Sequence, residues 1–244
     1  MTYLTGLTDK PDDQRICDDA EGMLWQALDI QKHKLGMRHI DTLTTMNNLA
    51  NVLEARDKHE KAEEMHREAL GLLMEVLGPI HLDTLRSMSN LAHVLAVQEK
   101  YQEAKELHQQ ALELRKHSLG PTHPDTLASM IYLADTFDKQ GFREEADKMH
   151  RQTVELHRHA LGLQHPDTLT SVAFLAGVLE GRGKHEEAGQ LHWQILELRK
   201  KLAGPTHPDT LTSMHLLADV LEGQGKHDEA EKMRRQALKL YKQQ

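Results

Sequence analysis

The chain has 244 residues, and its 30 basic against 38 acidic residues give a formal net charge of −8. This balance argues against binding nucleic acid or an anionic membrane, because both require clustered Lys and Arg. Cys17 is the only cysteine, so no internal disulfide is possible and a reducing, cytoplasmic setting is the simplest expectation. The sequence also lacks an apolar run of transmembrane length, and Met1–Lys10 does not follow the pattern of a secretory signal.

The tripeptide Asp-Thr-Leu occurs five times at a constant interval of 42 residues. Its aspartates are Asp41, Asp83, Asp125, Asp167 and Asp209. A period between about 20 and 50 residues is typical of a solenoid, in which each unit buries its apolar face against its neighbours. Aromatic residues make up only 4% of the chain, so the core must consist of Leu, Ala, Met and Val. The sequence therefore predicts an all-α array of stacked repeats.

Two segments precede the first complete repeat. Residues 1–17 are expected to be a poorly matched remnant of a first helix, since Pro11 interrupts the pattern. Residues 18–40 are expected to form a half repeat, consisting of a second helix and a linker, because apolar residues keep helical spacing there. Those apolar residues are Ala20, Met23, Ala27 and Ile30.

Five repeats follow, at 41–82, 83–124, 125–166, 167–208 and 209–244. Counted from each aspartate as position 1, apolar residues recur at positions 3, 6, 9, 10 and 13, which predicts an amphipathic first helix. A second stripe at positions 22, 25, 29, 32 and 36 predicts a longer second helix. Alanine at position 10 faces alanine at position 22, which lets the two axes approach closely. Each repeat is therefore predicted to be an antiparallel helix pair.

Glycine and proline mark the turns. Gly141, Gly183 and Gly225 suit a left-handed residue after a first helix. Asp57 and Glu99 hold the same place earlier, so those two turns are predicted to be strained. Each second helix is predicted to end at a glycine, and the next first helix to begin at His-Pro-Asp or His-x-Asp, where Asp complements the helix dipole.

These features resemble a tetratricopeptide repeat (TPR) of the 42-residue form found in kinesin light chains and in the repeat tails of fungal and bacterial signalling NTPases. The resemblance covers residues 18–244 and rests on the turn Gly-Lys-His-Glu-Glu-Ala at 183–188 and the linker Leu-Gly-Pro-Thr-His-Pro at 119–124. It implies a right-handed superhelix, an α-solenoid whose first helices line a concave groove.

Candidate binding residues are those first-helix positions that differ between repeats, because recurring residues are explained by packing. Positions 7, 8 and 11 fall on the face opposite the second helix, which the resemblance places on the groove. The early repeats carry polar residues there, namely Asn47, Asn48, Asn51, Asn90 and His93. An Asn side chain both donates and accepts, which suits the backbone of an extended peptide, and the pattern resembles the paired asparagines of kinesin light chains.

The later repeats carry apolar residues at these positions. Tyr132, Phe174 and Leu216, with Ile131 nearby and Gly177 leaving space, are expected to anchor a large ligand side chain. The alternative is that Tyr132 and Phe174 only pack against neighbouring first helices.

Charge at the variable first-helix positions suggests the ligand's character. The acidic residues are Glu54, Asp135, Asp138, Glu180, Asp219 and Glu222, and the basic ones are Arg86 and Lys139. A net negative groove predicts a protein or peptide ligand with apolar anchors flanked by Lys or Arg, unlike the acidic, tryptophan-containing peptides known for kinesin light chains. The alternative is that these carboxylates form a solvated face.

Eighteen histidines raise the question of a metal site. No two of them stand four residues apart, the spacing at which helical pairs bind zinc, so we predict no metal and no cofactor. Those before the linker aspartates are expected to serve helix starts. Four others are expected to be packed, hydrogen-bonded rings where a TPR often has an aromatic residue, namely His66, His108, His150 and His192.

Catalytic motifs such as a phosphate loop, a nucleophile elbow or His-Glu-x-x-His do not occur, so we expect no enzyme. The leading hypothesis is an interaction scaffold that binds a peptide or protein segment in the concave groove. One alternative is a repeat tail of a larger signalling NTPase that senses a ligand or self-associates end to end, since the terminal repeats look uncapped. Another is a kinesin light chain-like cargo adaptor, which would require the coiled coil of that family.

Overall fold

The computed structural model describes residues 11–242, with side chains from Asp19 onward. This part of the chain contains eleven helices and no strand. The helices are α1 Pro11–Lys34, α2 Ile40–Ala55, α3 His59–Leu77, α4 Leu82–Val97, α5 Tyr101–Leu119, α6 Pro124–Lys139, α7 Arg143–Leu161, α8 Pro166–Gly181, α9 His185–Ala203, α10 Pro208–Gly223 and α11 His227–Tyr241. The predicted all-α fold of paired helices is confirmed. None of these helices combines the length and apolar character needed to cross a bilayer.

The helices divide into two compact units, one ending at Gln140 and one beginning at Gly141. In the N-terminal unit, α1 to α6, each helix packs on the next, α2 also contacts α4, and α4 contacts α6. The second helices α3 and α5 make no contact of comparable extent within the described residues. First helices therefore lie on the inner side of this unit. In the C-terminal unit, α7 to α11, each helix likewise packs on the next.

Alanine fills the contact between the helices of each pair that lies within one unit. Ala50 and Ala62 are 0% exposed in the pair α2 and α3, and Ala92 and Ala104 are 0% exposed in α4 and α5. The C-terminal unit repeats this at residues that are at most 1% exposed, namely Ala176, Ala188, Ala218 and Ala230. Larger side chains at these places would force the axes apart, so the complete burial of these alanines agrees with the predicted close approach.

Each first helix begins at a linker histidine. The imidazole Nδ1 of this residue accepts a hydrogen bond of 3.2 Å from the backbone N–H two residues on, and thereby caps the helix. The capping residues are His39, His81, His123, His165 and His207. An accepting Nδ1 places the ring proton on Nε2. The sequence predicted helix-start histidines and the structure gives them this chemical role.

In the turn after each first helix, one residue has a left-handed backbone conformation. Glycine supplies it at Gly183 (φ 72°) and Gly225 (φ 76°), whereas Asp57 (φ 57°) and Glu99 (φ 62°) adopt it with a side chain. A Cβ in this region crowds the following carbonyl at a cost of about 1–2 kcal/mol. The strain predicted for the two early turns is therefore confirmed.

Within the described residues, helix α1 begins at Pro11, and proline is tolerated at the first helical position. The helix takes in residues 11–17 and continues through the predicted half repeat to Lys34. The rest of the predicted first-helix remnant lies outside the described residues, so the division at residue 17 stays a prediction.

We predict that Glu99→Gly raises the free energy of unfolding by up to about 1 kcal/mol, because relief of left-handed strain exceeds the added chain entropy of glycine. Urea denaturation followed by circular dichroism measures the change. The mirror variant Gly183→Glu is expected to lower the free energy of unfolding by about 1–2 kcal/mol. Equal stability of all three proteins would contradict the proposed strain.

Candidate binding surface on the first helices

Asn47 is a packing residue, which corrects its assignment to the groove. Only 7% of its surface is exposed. Its Oδ1 accepts hydrogen bonds from His66 Nδ1 at 2.9 Å and Ser87 Oγ at 3.1 Å, and its Nδ2 donates to the Leu43 carbonyl at 3.3 Å. The amide thus joins α2, α3 and α4. With both amide groups engaged inside the protein, Asn47 has little left to offer a ligand.

The other three asparagines remain candidates. Asn48 is exposed, and Asn51 and Asn90 are half-buried. Their amides make no hydrogen bond within the described residues. Asn48 and Asn51 share one face of α2, and Asn90 holds on α4 the repeat position of Asn48 on α2. These side chains therefore leave donors and acceptors available on the inner side of the N-terminal unit.

His93 lies beside these amides and is already engaged. Its Nδ1 lies 2.5 Å from Glu54 Oε1, which joins α4 to α2. Asp135, on α6, is half-buried and also has an interaction partner. Arg86 is held by Asp83 at 2.7 Å. Much of the charge predicted for this part of the surface is therefore balanced within the protein.

Tyr132 packs inside the N-terminal unit in a way that the sequence did not predict. Its ring stacks on His108, from helix α5, with centroids 5.9 Å apart and an interplanar angle of 18°. The alternative of a packing role is thus supported, although the partner is a second helix and not a neighbouring first helix. Ile131, which was expected to join the apolar anchor, is only 8% exposed and belongs to the core.

The C-terminal unit keeps its apolar candidates accessible. Phe174 on α8 is half-buried, and Leu216 at the same repeat position on α10 is 37% exposed. Gly177 lies one turn beyond Phe174, and a Cβ added there would meet no atom within 4 Å. Gly177 therefore leaves open space on this face of α8, and the anchor role of Phe174 stays a prediction.

Carboxylates border these apolar residues. Glu180 Oε1 lies 2.8 Å from Nε2 of the buried His192. Asp219, with 61% of its side chain exposed, and Glu222 both accept from Arg234 on α11, with the Asp219 contact at 2.8 Å. These two hydrogen bonds raise the pKa of Arg234. Two carboxylates share one guanidinium, so this part of the surface stays net negative.

Sequence reasoning missed Arg115, a cation of which only 7% is exposed. Its guanidinium donates to Ser89 Oγ at 2.8 Å, to the Leu85 carbonyl at 2.9 Å, and to Ser129 Oγ. Burial lowers its pKa. A sequence signal for this contact exists, because Ser recurs at position 5 and stands fourteen residues after an arginine in two repeats. Arg199 makes the equivalent contact and donates to Ser213 Oγ at 2.7 Å.

The packing predicted for four histidines is confirmed, since each ring is at most 3% exposed: His66, His108, His150 and His192. His66 and His192 have the hydrogen bonds described above. Within the described residues, no three His, Cys, Asp or Glu side chains gather closely enough to hold a metal ion.

Comparison with known families and structures extends the sequence resemblance. The profile of the tetratricopeptide repeat family matches residues 14–75, 83–159 and 168–243. No curated protein sequence matches the chain significantly.

Solved structures with similar folds are also helical repeat proteins. A crystal structure described as a Podosopora anserina kinesin light chain with nearly identical TPR-like repeats is 27% identical, with a TM-score of 0.72, and the match covers 83% of this chain and 96% of that chain. BtubC (BKLC) from P. vanneervenii is 19% identical, with a TM-score of 0.70, over 93% and 90% of the two chains. The apo form of RapI is 15% identical, with a TM-score of 0.59, over 89% and 90%. The last two similarities concern the fold alone.

The buried histidines predict an acid-sensitive fold. Burial lowers the pKa of His66 to about 4 and that of His108 to about 3, because the imidazolium loses its hydration. The unfolded chain protonates these residues near pH 6.5, so their stabilising effect is complete above that pH and is lost as the pH falls toward 4 and 3. In this pH range, each histidine lowers the free energy of unfolding by up to about 1.4 kcal/mol for every unit that the pH falls.

Replacing His108 by Phe tests this slope, because Phe retains the stacking on Tyr132 without titrating. We expect similar stability at pH 7.5 and a smaller loss between pH 6 and pH 4 than in the wild type, measured by urea denaturation at each pH. Parallel stability curves for the two proteins would show that His108 does not titrate as stated.

Proposed function

Because the chain belongs to the tetratricopeptide repeat family, we propose that it is a protein-interaction scaffold whose first helices bind an extended segment of a partner. TPR repeats generally serve as protein–protein interaction scaffolds. The observation that carries the proposal is the contrast between neighbouring asparagines. Asn47 uses its amide within the fold, whereas Asn48, Asn51 and Asn90 leave theirs available.

The available amides suit a peptide backbone. An asparagine side chain presents one C=O and one NH₂, which match the N–H and C=O of an extended chain without selecting a sequence. The inner side of α2 and α4 would then grip main chain, and selectivity would come from residues elsewhere. Each such hydrogen bond contributes about 0.5–1.5 kcal/mol net.

Charge favours a ligand that carries Lys or Arg beside apolar anchors. Glu54 is bonded to His93 in the N-terminal unit, but in the C-terminal unit Asp219 and Glu222 share one arginine and Glu180 faces a buried histidine. The remaining negative charge attracts basic segments and repels acidic ones. A cytoplasmic partner fits the single cysteine, which points to a reducing compartment.

Self-association is a second candidate, favoured by an exposed apolar residue on α11. Leu238 is 53% exposed, whereas Leu70 and Leu112 at the same repeat position are only 7% and 3% exposed. Such a leucine buries itself when another helix packs on it. Sedimentation velocity between about 1 and 100 µM decides, because a peptide-binding monomer keeps one sedimentation coefficient and a self-associating chain does not.

The double variant Asn48→Ala, Asn90→Ala tests the scaffold. A peptide selected from a random phage-displayed library on the 244-residue chain is the probe, and calorimetry measures its Kd. We expect a roughly thirtyfold weaker Kd, since two hydrogen bonds of about 1 kcal/mol each are lost, with helicity unchanged.

Gln109→Ala, Gln110→Ala is the matched control, because these exposed amides lie on the second helix α5. It should bind like the wild type. Wild-type affinity in the Asn48, Asn90 variant, or an equal loss in the control, would refute the assignment of binding to the first helices.

A further inference from the structure

Gly177 is a glycine in the interior of a helix with no packing reason to be there. It lies within α8, is exposed, and its missing Cβ would meet nothing within 4 Å. Gly189 and Gly223, by contrast, are approached by Gln224 and His185 at 2.8 and 2.9 Å, whereas Gly71 is as open as Gly177, so the neighbours of Gly177 decide its role. Alanine is the better helix former, so glycine at 177 weakens α8 without a compensating contact.

The surroundings of Gly177 match those of an anchor site. Phe174 and Glu180 lie three residues before and after it, so the three share one face of α8. Phe174 is half-buried and is not part of the described hydrophobic clusters of this unit. The face therefore presents an aromatic ring, then bare helix backbone, then a carboxylate.

Glu180 retains the capacity to bind a cation. One of its oxygens lies 2.8 Å from His192 Nε2, and 31% of its side chain stays exposed. A carboxylate has about four acceptor sites, so this contact leaves others available to a ligand. The pair Asp219 and Glu222, which share Arg234, adds negative charge on α10 of the same unit.

We propose that Gly177 forms the floor of a specificity site for an aromatic side chain adjacent to Lys or Arg in the partner segment. This inference rests on the proposed function and deepens it. The ligand ring lies on the α8 backbone against Phe174, an aromatic contact that adds to simple burial. The neighbouring ligand cation binds Glu180. A methyl group at 177 occupies the space that the ring needs.

The test exploits opposite effects on stability and on binding. Gly177→Ala is compared with Gly71→Ala, because Gly71 also lies inside a helix, is exposed, and has nothing within 4 Å of its missing Cβ. In the 244-residue chain, both substitutions are expected to raise Tm by about 2–4 °C through helix propensity. Only Gly177→Ala should lose binding.

Synthetic peptides with a central Trp, Phe or Ala, flanked on both sides by two Lys or by two Glu, serve as probes in fluorescence polarisation. Wild type and Gly71→Ala should prefer Lys-flanked Trp and Phe, and Gly177→Ala should bind these about tenfold more weakly. Undiminished binding of the aromatic peptides by Gly177→Ala would overturn the inference, as would preference for Glu flanks. If the wild type binds none of the probes and the library selection also yields no ligand, the proposed function itself fails.

Discussion

The close approach of two helices at alanine determines what every other residue of a repeat does. Ala50 against Ala62 and Ala92 against Ala104 are wholly buried, and the C-terminal unit repeats the arrangement. With the axes this close, the rotation of each helix about its axis is fixed. The positions that pack and the positions that face away then follow from counting residues. The constant 42-residue interval preserves this register, so positions 8 and 11 remain comparable from one repeat to the next.

Successive repeats are joined by buried polar contacts that differ in chemistry although they occupy equivalent places. Arg115 donates to Ser129, His157 pairs with Ser171 at 2.7 Å, and Arg199 donates to Ser213. Ser87 stands where these serines stand, but Leu73 precedes it by fourteen residues and offers no polar group. Ser87 donates instead to Asn47. A buried hydroxyl needs a partner, and each junction supplies one from the residues it has.

The periodic part of the structure was predictable from sequence because it depends on short-range rules. The spacing of apolar residues predicted the helices, and the glycines predicted the left-handed turns. The lack of glycine at Asp57 and Glu99 predicted the strain in those two turns. The sequence predicted that a histidine begins each first helix, but it did not predict that the imidazole Nδ1 accepts the capping hydrogen bond.

The candidate site was less predictable because it depends on partners distant in the chain. Asn47 and Asn48 are adjacent and chemically identical, yet only Asn47 meets His66 and Ser87. The negative charge at Asp219 and Glu222 is partly offset by Arg234, which a first-helix pattern does not include. Tyr132 likewise stacks on a residue from another helix. Only the tertiary structure therefore shows which variable residues already have partners within the protein.

In this account, the residues that recur in every repeat build the scaffold, and the variable first-helix residues bind the partner segment. The most direct measurement is an NMR titration of the ¹⁵N-labelled chain with a Lys-flanked aromatic peptide. The account predicts that this peptide shifts backbone amides around Phe174 and Gly177, and that the library-selected segment shifts the side-chain amides of Asn48, Asn51 and Asn90. Shifts confined to the exposed faces of the second helices α3, α5 and α9 would contradict it.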